Sequence, residues 1–593
     1  MVPIFRWLGG LVLGVVSMGA ADQVKRSFSV AERAQGYTET TVLALPKAGT
    51  GSTRSLGEGE SAAQVRTLRH FQRFDGLRVI AVPAGERAES YIKRLQATGL
   101  YEWVEKDRLL YAHAVPSDPE FTSGAQWALR NTGQSNGKAG ADIQAVAAWD
   151  VITDASTVVV GVIDSGVKWD HPDLAANMWR NPGESGNGRE TNGIDDDGNG
   201  YIDDVFGINA TIPKSQPGAG NPADDDGHGT AVAGVVGAVG NNGLGVTGVA
   251  WNAKIMALKF LTSDGTGATS DAIECMDYAV MMGARIINAS YGSSTLSQAE
   301  SAAMQRIKNA GIIMVAASGN EGLNNDEISN YPSNYAFENL VAVGSSTRSD
   351  LPATSSNFGS GKVDLYAPGA EIRVLARNPE TPYTILSGTS FAAPHVAGAL
   401  ALIKSLYPQD TPRESINRLL RGVDRVDAFV GKAQSSGRLN LARALASAAT
   451  PFNDQFSESA LLAGGFVSVR TTNDGASREA SEPPHAGVGA AGSLWWSWTA
   501  PESTRISLDT HGSLLDTTLA VYTGNQLGGL SEVAANDNDG GRSTSGLTFN
   551  SIKGTTYHIA VDGRGGQKGM ILLNLRTPPS NDAFQAAREV SGP

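Results

Sequence analysis

Residues 158–166 read Val158-Val159-Val160-Gly161-Val162-Ile163-Asp164-Ser165-Gly166, and this short stretch decides the fold class. Residues 158–163 of this stretch are uncharged and largely β-branched, which is typical of a strand that is buried on both faces. Buried strands that alternate with helices predict an α/β domain whose parallel sheet is covered by helices on both faces. The same strand pattern recurs at 254–260, 284–288 and 312–317, and helical patterns lie between these stretches at 230–239, 271–282 and 298–310.

The predicted strand at 158–163 ends in a carboxylate, that of Asp164. In sheets of this type the chemistry lies at the carboxyl ends of the strands. A carboxylate held rigidly there, partly shielded from water, is suited to orienting a histidine. The alternative is an ordinary strand-end aspartate that makes a turn.

His228 stands between Gly227 and Gly229, just before a segment rich in Ala, Gly and Val. Flanking glycines let the backbone turn sharply and leave an imidazole uncovered, which favours a catalytic base. His171 and His395 are the alternatives for this role.

Ser390 follows Gly388 and Thr389 at the start of a helical segment that runs to about Tyr407. The unpaired N–H groups of a helix N-terminus can bind a developing oxyanion, and Pro394 is expected in the first turn. Ser390 could instead be a plain N-cap, and Ser387 is a weaker alternative nucleophile.

Asn320 follows Ser318 and Gly319 after the predicted strand that ends at Ala317. Its side-chain amide is a candidate second donor for the oxyanion. The alternative is an asparagine that merely makes a turn.

Together these motifs, in the order Asp, His, Ser, resemble the subtilisin family, or subtilases. The resemblance covers nearly all of residues 117–448 and implies a subtilisin-like serine endopeptidase. It implies that Asp164 orients His228, that His228 acts as general base and then acid, that Ser390 attacks, and that Asn320 binds the oxyanion. It also implies that an extended substrate pairs with Ser290, Tyr291 and Gly292. Gly292 would leave space beside the scissile residue, with apolar or aromatic residues favoured before the cut.

Two acidic runs crowd carboxylates so densely that a bound cation is the simplest explanation. One is Asp224 to Asp226. The other matches the ligand spacing of a calcium loop, although Phe206 replaces its final glutamate. The alternative is a solvated acidic turn, and the calcium would be structural. The candidate ligands are Asp195, Asp197, Asn199, Tyr201, Asp203 and Asp204.

The chain of 593 residues predicts several domains. An apolar run behind Arg6, followed by small residues, predicts a secretory signal peptide over 1–21, and a membrane anchor is the alternative. Residues 22–116 form a small α+β segment, with predicted strands near 76–83 and 101–105 and a predicted helix near 88–98. This segment resembles subtilase propeptides, which assist folding and block the active-site cleft until they are cut off, here near 112–117. Residues 452–577 predict a β-sandwich like the C-terminal modules of bacterial secreted peptidases, and a repeated Asn-Asp-x-Phe places the start of a second copy at 578–593. In the β-sandwich over 452–577, Trp495, Trp496 and Trp498 are either core residues or a surface that stacks on a substrate polymer.

A net charge of -13 argues against nucleic acid as the main partner. The single cysteine, Cys275, excludes an internal disulfide framework and has the surroundings of a buried thiol. The sequence therefore predicts a secreted, monomeric, calcium-dependent endopeptidase of broad specificity that processes itself and acts on proteins or peptides. The alternatives are a binding or adhesion protein that carries an inactive subtilase domain, and a processing protease of narrow specificity.

Overall fold

The computed structural model describes residues 32, 37–47, 52–109, 114–489 and 491–577. The chain divides into two compact units, Met1–Leu110 and Tyr111–Pro593. The predicted signal peptide and the repeat at 578–593 lie outside the described residues, as do residues 112 and 113 of the predicted processing region at 112–117. Within the described residues, no helix combines the length and the apolar character that crossing a membrane requires.

The first unit is an antiparallel four-stranded sheet in the order β2-β3-β1-β4, with a helix packed on it. Its core contains Val42 and Ile80 from the sheet and Tyr91 and Leu95 from the helix, all buried. The predicted strands near 76–83 and 101–105 and the helix near 88–98 are present, and the remaining elements were not predicted. The elements are β1 Tyr37–Pro46, α1 Ser52–Ala62, β2 Thr67–Phe71, β3 Leu77–Ala81, α2 Ala88–Ala97 and β4 Tyr101–Arg108.

The second unit contains a nine-stranded sheet in the order β14-β15-β11-β10-β9-β8-β5-β7-β6. All neighbouring strands pair in parallel except β14, which lies antiparallel to β15 at one edge. The predicted parallel α/β sheet is therefore confirmed, with one antiparallel edge strand. The strands are β5 Val159–Asp164, β6 Gly207–Asn209, β7 Lys254–Lys259, β8 Ile286–Ala289, β9 Ile313–Ala317, β10 Leu340–Ser346, β11 Leu365–Pro368, β14 Asp424–Arg425 and β15 Gly437–Arg438; β12 Ile372–Leu375 and β13 Tyr383–Leu386 form a separate hairpin.

The helices of this domain cover the sheet. Those that carry or frame the site are nearly apolar, because they are buried between the sheet and other elements; α8 is buried along almost its whole length. The free thiol of Cys275 is fully buried, as expected of a small hydrophobe. The helices are α3 Pro119–Thr122, α4 Ala145–Trp149, α5 His228–Gly237, α6 Thr269–Met281, α7 Gln298–Asn309, α8 Thr389–Leu406, α9 Pro412–Arg421 and α10 Leu441–Ala446.

The strand register brings three chain segments to one edge of the sheet. Ile163 pairs with Ala289, and Ala289 pairs with Ala316. Because these strands are parallel, Asp164, Ser290 and the residues after Ala317 leave the sheet side by side.

The C-terminal part is a β-sandwich of a five-stranded and a four-stranded sheet, as predicted. Trp495, Trp496 and Trp498 are each at most 1% exposed, so they belong to the core and cannot stack on a polymer. The strands are β16 Ala460–Leu462, β17 Phe466–Thr472, β18 Leu494–Thr499, β19 Arg505–Asp509, β20 Thr517–Thr523, β21 Ser531–Asn536, β22 Gly546–Asn550, β23 Thr556–Gly563 and β24 Met570–Arg576.

Arg470 of β17 reaches from the sandwich into the α/β domain. Its guanidinium contacts the Asp364 carboxylate at 3.1 Å, with both side chains at most 7% exposed, and donates to the carbonyl oxygens of Tyr335 and Leu340. Asp364 also accepts from the Ala342 N–H at 2.7 Å. Breaking such a buried pair from one side costs about 3–5 kcal/mol. The sandwich is therefore docked on the α/β domain by a buried ion pair.

Candidate active site

Asp164 is the last residue of β5 and is completely buried. Its Oδ1 accepts the Ser165 N–H at 2.7 Å. The Nδ1 of His228 lies 2.8 Å from Oδ1 and 3.0 Å from Oδ2. The carboxylate thus fixes the imidazole through both of its oxygens.

His228 is the first residue of α5, and the glycines beside it are needed for close packing. Gly227 has a φ of 119°, which disfavours residues with a side chain. A Cβ on Gly229 would lie 2.1 Å from the carbonyl oxygen of Gly166, so this side of the helix start can approach the turn after Asp164. Burial disfavours the charged imidazole, but the Asp164 carboxylate outweighs it and raises the pKa of His228 to about 9.

Ser390 is the second residue of α8, and its helix start is reached through Gly388, whose φ is 151°. The Ser390 hydroxyl donates to the Ser290 carbonyl oxygen at 3.2 Å. The His228 ring packs against Phe391, with 5.5 Å between ring centroids, so the imidazole lies beside the helix start. To pass its proton to the imidazole, the hydroxyl must turn away from Ser290.

Pro394 lies in the second turn of α8, and the prediction that it lies in the first turn is wrong. A proline has no N–H to donate to the carbonyl four residues earlier, here that of Ser390. The Ser290 hydroxyl takes over this role and donates to the Ser390 carbonyl at 2.9 Å. The segment after β8 and the start of α8 are therefore joined by two reciprocal hydrogen bonds.

Asn320 lies after β9, facing the start of α8. Its Oδ1 accepts the Thr389 N–H at 2.9 Å and the Thr389 hydroxyl at 3.1 Å. Because the oxygen is held in this way, the Nδ2 group is left as the donor. The Asn320 N–H is held in turn by the Glu321 carboxylate at 2.9 Å.

The alternative residues have other partners. His171 is 1% exposed and accepts the Asp173 N–H at 3.1 Å. His395 is 2% exposed, its Nδ1 lies 2.7 Å from the Phe391 carbonyl oxygen, and burial lowers its pKa to about 4. The Ser387 hydroxyl accepts the Glu371 N–H at 2.8 Å. None of the three contacts the pair formed by Asp164 and His228.

Comparison with known proteins identifies the α/β domain. The profile of the Subtilase family matches residues 155–440. Thermitase of Thermoactinomyces vulgaris is 32% identical over 331 residues, which are 56% of this chain and 99% of that protein. The chain belongs to the subtilase family.

Other relatives of this subtilase match over part of their length. Subtilisin-like protease 1 of Plasmodium berghei is 33% identical over 325 residues, or 52% of this chain and 53% of that protein, so the chain spans about half of this relative. The extracellular protease of Xanthomonas campestris pv. campestris is 34% identical over 367 residues, covering 57% of this chain and 58% of that protein. A solved cold adapted subtilisin-like serine proteinase has 26% identity and a TM-score of 0.41, and the match covers 53% of this chain and 97% of that one.

A second profile, the bacterial pre-peptidase C-terminal domain, matches residues 492–563 of this subtilase. The match lies within the β-sandwich.

The acidic run of Asp224 to Asp226 in this subtilase is satisfied by the protein itself. The buried Asp224 carboxylate accepts the hydroxyl of Ser165 at 2.9 Å, the N–H of Gly227 at 2.8 Å and the N–H of Thr230 at 3.0 Å. Asp225 pairs with the buried Lys259 ammonium at 2.6 Å. This run braces the segment that carries His228, and the sequence-based expectation of a bound cation has no support here.

The run from Asp195 to Asp204 is arranged differently. One oxygen from each of Asp197, Asp204 and Glu184 lies within 4.8 Å of the others, a group that could hold a metal ion. The Oε2 of Glu184 is buried without a hydrogen-bond partner. Burial raises the pKa of Asp204 to about 6.

The predicted ligand set overlaps this group only in part. Asn199 joins it, since its amide contacts Asp204 at 2.8 Å. Asp195 instead accepts the Gly200 N–H at 2.7 Å, and Asp203 accepts the Gly193 N–H at 3.2 Å. The Tyr201 hydroxyl donates to Glu274 at 2.7 Å.

Glu184 and Asn181 were not among the predicted ligands. The Glu184 Oε1 accepts the N–H groups of Asp196 and Asp197 at 2.6 and 3.2 Å, and the Asn181 amide contacts Asp197 at 2.9 Å. A Cβ on Gly183 would lie 2.4 Å from Asp197, so only glycine lets the two segments meet. The sequence feature that could have indicated these two residues is the stretch Asn181-Pro182-Gly183-Glu184, which lies just before the acidic loop.

The predicted substrate-binding residues Ser290, Tyr291 and Gly292 line a cavity of about 700 Å³ that also borders His228. A Cβ on Gly292 would lie 2.6 Å from Oδ1 of Asn330. The space beside Gly292 is therefore bounded by the Asn330 amide, a limit that the sequence did not predict.

Proposed function

We propose that this subtilase is a secreted serine endopeptidase that hydrolyses peptide bonds in proteins through an acyl-enzyme intermediate. The observation that carries the proposal is the pair of contacts between Asp164 and His228, at 2.8 and 3.0 Å, beside the helix start that bears Ser390. A buried carboxylate on Nδ1 leaves Nε2 as the base.

In the first step His228 accepts the Ser390 proton while the Ser390 oxygen attacks the scissile carbonyl carbon. The negative charge of Asp164 stabilises the imidazolium that forms, and His228 then returns the proton to the leaving amine. Water repeats the sequence on the acyl-enzyme, with His228 again as base.

The oxyanion of the tetrahedral intermediate is bound by two donors, the Nδ2 group of Asn320 and the N–H of Ser390. The second is available because N–H groups in the first turn of a helix have no partner within it. Loss of the asparagine donor costs about 10²–10³ in turnover in subtilisin. Thr389 keeps the Asn320 amide in position, since it holds the amide oxygen through two hydrogen bonds.

Hydrolysis of casein by purified protein tests this proposal. Ser390→Ala should abolish activity, whereas Ser387→Ala, a nearby exposed serine of the same loop, should retain it. Equal activity of wild type and Ser390→Ala would contradict the assignment of the nucleophile. Inactivity of wild type on casein and on a peptide library would favour a binding or adhesion protein with an inactive domain.

The precursor organisation is part of the proposal: a signal peptide over 1–21, an inhibitory propeptide over 22–116, the peptidase over 117–448 and the sandwich over 452–577. The extracellular protease of Xanthomonas supports export of this relative. Self-processing predicts that Ser390→Ala retains residues 22–116. Mass spectrometry of the termini of both proteins measures this, and a processed Ser390→Ala would mean that another protease makes the cut.

We also propose that the cluster of Glu184, Asp197 and Asp204 holds a structural Ca²⁺. Carboxylate oxygens are among the ligands that calcium prefers, and the side-chain amides of Asn181 and Asn199 hold Asp197 and Asp204 in place by donating to them. The buried Glu184 Oε2 without a partner fits a bound cation. The ion would offset most of the negative charge of the three carboxylates and tie the acidic loop to the segment of Glu184; it takes no part in hydrolysis.

Within this proposal the enzyme acts as a monomer of broad specificity. Extended substrate backbone would pair with Ser290 to Gly292, which gives affinity with little dependence on side chains.

A further inference from the structure

The cavity beside His228 contains a buried carboxyl group that the proposed hydrolysis does not use. Glu300, in the first turn of α7, lines the cavity and is 6% exposed. Its Oε1 accepts the Tyr291 hydroxyl at 3.2 Å and its Oε2 accepts the Tyr335 hydroxyl at 2.8 Å. No Lys, Arg or His side chain of the described residues pairs with it.

Glu300 is the third residue of α7, a position at which a glutamate side chain often accepts a backbone N–H at the start of the helix. In a capping box the third helical residue accepts the N–H of the N-cap residue. The pair of Thr411 and Glu414 closes such a box at α9, with the Thr411 N–H 2.7 Å from Glu414. At α7 the Ser297 hydroxyl accepts the Glu300 N–H at 3.1 Å, but the Ser297 N–H goes to the Tyr335 hydroxyl. The Glu300 carboxyl therefore does not take part in a capping box, and it faces the hydroxyl groups of Tyr291 and Tyr335 instead.

The remaining wall of the cavity suits a cation. Phe260 and Tyr291 pack edge to face at 4.7 Å, and Tyr331 also lines the space. The residues that line it include the carboxylate of Asp226 and no lysine or arginine. Aromatic faces together with a carboxylate form the surroundings that bind guanidinium and ammonium groups.

The cavity lies away from the reacting bond. It borders His228 and Ser290 to Gly292, but neither Ser390 nor Asn320 lines it. Because the part of the substrate before the cut is expected to pair with Ser290 to Gly292, a side chain that enters the cavity belongs to that part, further from the scissile bond than the residue that is acylated.

We propose that this cavity is a specificity pocket for an arginine or lysine side chain of the substrate, at least two residues before the cleaved bond, and that Glu300 is the residue that selects it. The proposal rests on the proposed peptidase activity. The incoming cation replaces the missing counter-charge of Glu300, and its alkyl stem lies along Phe260 and Tyr291.

Matched fluorogenic peptides test this assignment. Arginine and its uncharged analogue citrulline are placed in turn at each position before the scissile bond, and kcat/KM is measured with the mature enzyme. We expect one position, beyond the acylated residue, at which the arginine peptide is cleaved at least tenfold more efficiently. Equal values at every such position would overturn the proposal.

Glu300→Gln should reduce this ratio to nearly one, mainly by lowering kcat/KM on the arginine peptide. Glu414→Gln is the matched control, because it changes the equivalent glutamate of α9 and should preserve the ratio. A ratio that survives in a folded Glu300→Gln protein would contradict the role of Glu300. Should thermal melting show that this variant does not fold, Glu300→Asp retracts the carboxylate by one methylene and should lower the ratio.

The two proposals fail in different ways. Hydrolysis of both peptides at equal rates removes the pocket assignment and leaves the peptidase intact. Hydrolysis of no peptide and no casein removes the peptidase proposal, and the pocket assignment falls with it.

Discussion

Two acidic runs of the α/β domain have similar composition and opposite surroundings. Asp224 and Asp225 are met by hydroxyl, amide and ammonium donors of the protein. Asp197 and Asp204 meet another carboxyl, that of Glu184, and amide groups. Asp197 and Asp204 also accept hydrogen bonds from Asn181, Asn199 and Tyr278, but no lysine or arginine of the described residues pairs with their group. Carboxylates that the protein supplies with both donors and an ammonium brace a loop, whereas three carboxylates gathered without a cationic side chain form a site for a bound cation. Density of charge in the sequence does not distinguish the two cases.

The largest difference should appear on removal of calcium. Chelation with EGTA should lower the Tm by about 6 °C, since an ion at a thousand times its Kd contributes about 4 kcal/mol and 1 kcal/mol corresponds to about 1.5 °C in a domain of this size. Differential scanning calorimetry in 1 mM Ca²⁺ and in EGTA measures the shift. For a site with a Kd of about 1 μM, 1 mM Ca²⁺ is about a thousand times the Kd. Glu184→Gln should remove most of it. A Glu184→Gln protein with the full shift would place the ion elsewhere.

A smaller effect is expected from Asp224→Asn. The neutral amide cannot accept all the donors that the carboxylate holds, so one or two buried groups lose their partner at about 1–3 kcal/mol each. Both stability and casein hydrolysis should fall, because the segment that carries His228 loosens. The Tm difference between calcium and EGTA should stay as large as in wild type. Loss of that difference would mean that Asp224 belongs to the ion site.

Asp225→Asn should cost only about 1 kcal/mol, because its carboxylate is half exposed and such pairs are weak. Lys259 keeps the carbonyl oxygens of Ser165 and Leu261, at 2.8 and 2.6 Å. Urea denaturation measures the change. A loss of 3 kcal/mol or more would show that Lys259 depends on the carboxylate for its burial.

The smallest effect concerns pH. A general base acts when it is unprotonated, so kcat/KM should rise with pH through the pKa of His228, about 9. The charge of Asp226 contributes to raising the pKa of His228. Asp226→Asn should therefore move the acidic limb of the pH profile of kcat/KM to lower pH by a few tenths of a pH unit. Asp196→Asn, a matched loss of charge in the other run, should leave the limb in place; equal shifts would indicate an effect of net charge alone.

Elements with a strong local pattern were predicted well. The strand that ends at Asp164 and the strand that precedes Asn320 lie within one or two residues of their expected bounds, because continuous apolar runs leave few alternatives. The first unit was predicted in part only: β1 and β2 alternate weakly, and a residue pattern shared by strands and loops does not separate them.

The family, the parallel sheet and the four residues proposed for hydrolysis could be recognised from the sequence. The reason is that short motifs with glycine at fixed positions indicate the local backbone geometry directly. Tertiary structure alone decided the partners. Glu184 joins Asp197, Arg470 reaches Asp364, and Glu300 turns from its helix to two tyrosines. Each of these contacts forms between groups that are distant in the sequence, because folding buries them next to each other and a buried polar group needs a partner. No local sequence pattern encodes this.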